Sequence, residues 1–249
     1  MPGTSGVRGS VARNLDNSDA NPSGAYDALI ALSRAGIDEE SEPAAAAILE
    51  RLLPLSDPAL NRARLYILRA EFCMAHGDFD TANGHLREAT LCAGSSLPDR
   101  LWASGWRILI SYLNAQYQHA LTESHALQVR FSCGSAAHIG YFQLIEGLAY
   151  SAKGKQLFAA KALTKVAQSE TLWSISAKQY LTHTAAESFE HATTGYCPSQ
   201  ILEACYLTGE LFTHAGSPGL AHGYYYLCLN LPAKRAMISR LARLRLRES

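Results

Sequence analysis

Three segments of this chain carry one four-residue signature at one spacing. Gly147, Tyr150, Gly154 and Ala159 follow at gaps of three, four and five residues; so do Gly209, Phe212, Gly216 and Ala221, and Ala70, Cys73, Gly77 and Ala82. In each copy a small residue sits one helical turn before a larger one. A glycine follows where a helix would stop, and an alanine falls inside the next helix. Glycine leaves a helix in the left-handed conformation without a Cβ penalty, and a small residue lets the returning helix come close. A hairpin of this size cannot bury its apolar face alone, so its repetition means a stack of helix pairs.

The apolar periodicity supports an all-α chain. A helix is expected over Ala25 to Ala35, and another after Ser41-Glu42-Pro43, where proline suits the first turn. Pro54 and the Asp57-Pro58 step end that helix and start the next. Helix pairs follow over Leu60–Ala75 with Phe79–Ala93, Leu101–Leu113 with Tyr117–Val129, Ala137–Lys153 with Gln156–Gln168, and Ser199–Ala215 with Pro218–Asn230. Asp78 is placed to cap the second helix of the first pair. The second pair has no turn glycine; Asn114-Ala115-Gln116 stands there instead. Thr171 to Thr193 reads as one long unpaired helix. The alanines of the return helices, Ala82, Ala120, Ala159 and Ala221, are 38, 39 and 62 residues apart, and the extra helix accounts for the long last step. No regular alternation marks a strand.

The stretch from Tyr66 to Ala82, with its turn His76-Gly77-Asp78-Phe79-Asp80, resembles the tetratricopeptide (TPR) repeat. The likeness is close in the turn and departs in the first helix, where Leu68 lies one residue early and Arg69 takes the expected leucine site. It covers roughly Leu60 to Leu231 and is similar to the long-period TPR type. The run from Glu203 to Gly216 also resembles the closing repeat of the anaphase-promoting complex subunit-five superhelix. The resemblance implies a right-handed superhelix of antiparallel helix pairs, a TPR-like α–α solenoid. It would act as a non-enzymatic scaffold or adaptor inside a multiprotein complex, of which a cell-cycle ubiquitin-ligase assembly is one example. In such a solenoid the first helix of each pair lines a concave groove for a protein or peptide. The implied groove positions are Arg64, Glu71 and Met74; Trp102, Leu109 and Tyr112; Tyr141, Leu148 and Ser151; and Glu203, Tyr206, Glu210 and His214. The basic clamp with which some TPR domains hold a terminal carboxylate is missing.

Composition excludes several other functions. Charges balance at 22 basic and 22 acidic residues, which argues against a global grip on nucleic acid or an anionic membrane. No apolar run reaches the roughly 20 residues of a membrane span. None of the six cysteines, Cys73, Cys92, Cys133, Cys197, Cys205 and Cys228, forms a C-x-x-C pair, and buried thiols in a reducing cytosol or nucleus are expected. His119 with His125 and His183 with His191 lack metal-ligand spacing, and Gly154-Lys155 lacks the rest of a P-loop. No catalytic residue, cofactor or metal is expected.

The expected organisation is a disordered leader over residues 1–24, a repeat domain over 25–231, and a basic segment over 232–249. That last segment gathers Lys234, Arg235, Arg240, Arg243, Arg245 and Arg247, with Ile238, Leu241 and Leu244 as an apolar stripe. Two readings stand. A capping helix would close the last hairpin with its arginines in water; a regulatory basic helix would contact nucleic acid or an acidic partner. Tyr224, Tyr225 and Tyr226 are consecutive and cannot all face one side of a helix.

Overall fold

The computed structural model describes residues 21–35, 37, 40–55, 60–131, 135–231 and 236–248. Most of the expected leader, the Asp57-Pro58 break, Cys133, Lys234 and Arg235 lie outside the described residues. The described chain is all-helical, without a strand: α1 Pro22–Ala35, α2 Glu42–Leu52, α3 Arg62–Ala75, α4 Phe79–Leu91, α5 Leu97–Leu113, α6 Tyr117–Arg130, α7 Ala136–Ala152, α8 Gln156–Ala167, α9 Leu172–Leu181, α10 Glu187–Ala192, α11 Pro198–His214, α12 Pro218–Asn230 and α13 Ala236–Glu248. Among the described residues no helix is long and apolar enough to cross a membrane.

The chain forms two compact units. One holds the described residues of Met1–Ala103, Cys197–Ser199 and Ala233–Met237; the other holds those of Ser104–Tyr196, Gln200–Pro232 and Ile238–Ser249. In the first, α1 packs on α2, α2 on α3 and α3 on α4. Leu29, Leu32, Ile48, Leu49, Leu65 and Leu68 form its core. Asn61 caps α3 by accepting the Arg64 N–H at 3.2 Å, and Asp78 caps α4 by accepting the Thr81 N–H at 3.1 Å. In the second unit α7 packs against α6, α8 and α9. Its core includes Phe142, Ile145, Leu148, Leu163, Trp173 and Phe212.

The signature has a backbone explanation. Gly77, Gly154 and Gly216 have φ of 79°, 70° and 71°. The amide after each glycine donates to the carbonyl of the signature's second residue: Asp78 to Cys73, Lys155 to Tyr150 and Ser217 to Phe212, each at 2.9 Å. These are Schellman turns, which satisfy the last carbonyls of a helix. Two further turns share the geometry without glycine. Gln116 N–H donates to Ser111 O at 2.8 Å around Ala115, at φ 57°, and Thr184 N–H donates to Gln179 O at 3.0 Å around His183, at φ 50°.

The His183 turn corrects the expectation of one helix over 171–193, which is α9 followed by the short α10. Thr182 Oγ donates back to Lys178 O at 2.8 Å, and the Tyr224 hydroxyl shares its proton between Thr184 O and Gln179 Oε1, each at 3.0 Å. Local hydroxyl bonds and a partner for the freed carbonyl stabilise the break. The small residues explain the close hairpins. A Cβ on Gly147 would lie 2.7 Å from Leu163 of α8, and one on Gly209 would lie 2.6 Å from the Tyr225 ring of α12. Ala82, Ala120, Ala159 and Ala221 are all buried.

Candidate functional site

Most of the residues assigned to a groove are inside the fold. Glu71, Met74, Leu109, Tyr112, Tyr141, Leu148, Ser151, Glu203, Tyr206 and Glu210 are buried, whereas Arg64, Trp102 and His214 are half-buried. Buried side chains offer little surface to a partner in this conformation. They settle instead into polar sites, because a buried polar group is costly unless it is bonded.

In the first unit, Asp99 on α5 accepts hydrogen bonds from Arg64 Nε at 3.1 Å, Asn61 Nδ2 at 3.0 Å and Ser96 Oγ at 2.6 Å. Burial pushes the Asp99 carboxyl up, and these three donors more than reverse it, leaving it below the usual carboxylate range. Arg64 thereby ties the first turn of α3 to α5.

In the second unit, four expected residues converge with one from the basic segment. Glu210 on α11 is 0% exposed. It accepts from Arg245 Nε at 2.7 Å and Arg245 Nη2 at 2.9 Å, from the Tyr225 hydroxyl at 2.8 Å and from the Tyr112 hydroxyl at 2.9 Å. Tyr112 Oη also lies 2.7 Å from His214 Nε2. A single hydroxyl proton cannot serve both; with it given to Glu210, His214 Nε2–H donates to the tyrosine oxygen. Tyr206 packs its ring against Tyr225, with centroids 5.9 Å apart. Burial drives the Glu210 carboxyl up, but the Arg245 bonds and charge and the two hydroxyls outweigh it, so it sits below its ordinary value. Burial, then the Glu210 charge, raises Tyr112 and Tyr206 well above the usual phenol range. Burial lowers His214, with the Glu210 charge opposing. These directions describe an ionised carboxylate, neutral tyrosines and a neutral histidine. Arg245 and Glu210 together form a buried ion pair braced by two phenol hydroxyls. Nearby, the Tyr141 hydroxyl donates to buried Glu203 at 2.6 Å.

Sequence reasoning placed Arg245 in a basic segment and Glu210 in a groove, and the fold joins them. It missed Tyr225. The available signal was the pairing of Gly209 with a large residue on the return helix, together with a glutamate isolated in an apolar run. Of the other basic-segment residues, Arg240 is half-buried, and Arg243 and Arg247 are exposed. Of the expected stripe only Ile238 is buried; Leu241 is half-buried and Leu244 is 51% exposed, and the face of α13 that packs is instead Ala236, Met237, Ile238 and Ala242.

An open cleft of about 500 Å³ lies in the second unit. Its lining residues fall on one face of each of three helices. Val129 is on α6; Glu146 and Tyr150 are on α7; Phe158, Lys161 and Lys165 are on α8. Spacings of three, four and seven residues put 158, 161 and 165 on one side of α8. The Tyr150 and Phe158 rings stack at 5.5 Å, and Gln128 Nε2 donates to Glu146 at 2.7 Å. Val129 is 66% exposed and Phe158 54%, and Leu157, beside Phe158 in the chain, is 82% exposed. Among the described residues no three His, Cys, Asp or Glu side chains gather as a metal site requires.

No family model matches the chain, and no curated protein is significantly similar to it.

Proposed function

We propose that this chain is a non-enzymatic protein-binding scaffold or adaptor, built as a TPR-like solenoid and working within a multiprotein complex of the cytosol or nucleus. The observation that carries this reading is the open cleft on α6, α7 and α8, with the exposed apolar side chains of Val129 and Phe158 in its lining. Single exposed apolar residues are ordinary; several around one concavity mark an interaction surface. Repeating hairpins supply a rigid body for such a surface, and no bond-making step is involved.

The reading in which the basic helix is the contact draws less support. Arg245 turns inward to Glu210, and α13 buries Met237, Ile238 and Ala242, as in a helix that closes a stack. The test uses the full chain and an Arg243→Ser/Arg247→Ser variant as bait in nuclease-treated lysate. The scaffold reading expects the same stoichiometric protein partners on both. Partners captured only by the wild type, or nucleic acid retained only by the wild type in a parallel lysate without nuclease, would move the function to α13.

A further inference from the structure

The cleft carries a charge pattern that selects its occupant. Four of the chain's six lysines, Lys153, Lys155, Lys161 and Lys165, lie within thirteen residues, and no Asp or Glu occurs between Glu146 and Glu170. Lys161 and Lys165 are exposed on the α8 wall, and among the described residues neither has an ion-pair partner. Glu146, at the α7 floor, is bonded to Gln128 from the α6 side. The cleft is thus apolar along Val129, Tyr150 and Phe158 and cationic along one rim. A volume of about 500 Å³ holds one or two large side chains.

We infer that the cleft between α6, α7 and α8 docks an acidic peptide segment bearing a leucine or aromatic anchor, an inference that rests on the scaffold function proposed above. The anchor fills the space over Tyr150 and Phe158, and carboxylates beside it meet Lys161 and Lys165. Charge complementarity of this kind sets orientation and encounter rate, while the apolar anchor supplies most of the binding. A nucleic acid fits less well. The cationic edge is short, two lysines on one face of α8, whereas a nucleic-acid groove needs a run of positive charge along the backbone. A membrane would reach the rim and Leu157 but not the concave floor.

Short random peptides displayed on phage are panned against the full chain, and enriched sequences are titrated by fluorescence polarisation. Single-stranded DNA and phosphatidylserine vesicles are run in parallel. Enriched peptides are expected to carry Asp or Glu close to Leu, Phe or Trp. Lys161→Glu/Lys165→Glu and, separately, Phe158→Ser should each weaken binding about tenfold or more, and Lys161→Arg/Lys165→Arg should retain it. All of these positions are exposed, so melting temperatures should match the wild type. The inference is overturned by no enrichment, by enriched peptides without acidic residues, or by affinity that ignores the charge reversal. It is equally overturned if only DNA or vesicles bind through the two lysines. Stoichiometric lysate partners unaffected by the charge reversal would sink the cleft proposal and leave the scaffold reading standing; a wild-type chain with no partners would sink both.

Discussion

Arg245 grips Glu210 with two parallel hydrogen bonds, 2.7 Å from Nε and 2.9 Å from Nη2. The carboxylate is fully buried, whereas the guanidinium side chain keeps about a third of its surface, 33%. The pair fastens α13 to α11 across 35 residues of chain. Its two ends are unequal, because only the carboxylate has given up water completely.

That inequality predicts an asymmetric response to mutation. Arg245→Ala strands a buried charge and should cost about 3 kcal/mol, the low end of the range for a broken buried pair, since Arg245 is partly solvated and two tyrosine hydroxyls remain. Glu210→Leu/Arg245→Leu should cost less than the sum of the single changes. Urea denaturation of the four-member cycle measures the difference; additive losses would show that the pair does not act as a unit.

Stability should fall with acid in two windows. The histidines His85, His138 and His214 are each lowered by burial. Below about pH 6.5 the unfolded chain takes up protons that these folded histidines refuse, so stability drops as pH falls. Glu210 and Asp99 are held below their ordinary values. Their contribution is complete above about pH 4.5 and is lost as pH falls through the folded values. Glu210→Gln should lower stability at neutral pH and flatten the acid limb, leaving the part due to Asp99. An unchanged slope in thermal melts from pH 5 to 2 would contradict the assignment.

Ala115→Gly should stabilise the protein by about 1 kcal/mol, because Ala115 holds a φ of 57° that costs a non-glycine residue energy. Gly154→Ala, at φ 70°, should destabilise by a similar amount. Chemical denaturation of the two variants reads both signs.

How far the sequence reveals this fold depends on which atoms do the work. The hairpins with glycine turns were legible, because Gly77, Gly154 and Gly216 mark the left-handed residue and the carbonyl acceptor lies four positions before each. The Asn114-Ala115-Gln116 turn was placed by the two helices around it, not by its own residues. The break at His183 was not foreseen, because histidine is no turn residue and the backbone bonds that make the turn are the same for any side chain. Tyr112, Tyr206, Glu210 and His214 were singled out together, yet for a groove. A one-dimensional helical pattern separates faces but does not say which face another helix will cover, and Arg245, 35 residues beyond Glu210, supplied the cover.

Gly209→Ala should cost about 1–3 kcal/mol by overpacking, as its new Cβ would lie 2.6 Å from the Tyr225 ring. That ring cannot retreat freely while its hydroxyl donates to Glu210. The loss should shrink in a Tyr225→Leu background, which a melting series on the four chains would reveal.

The shared carboxylate also sets how the second unit opens. A helix docked only by apolar contacts can detach and exchange its amides while its neighbours stay folded. Releasing α13 instead uncovers a charge to which α5 and α12 also donate through Tyr112 and Tyr225. Fraying at that end is therefore coupled to the interior. The slowest amides of α13 and α11 should share one opening free energy, so that the two helices behave as a single exchange unit despite their separation along the chain.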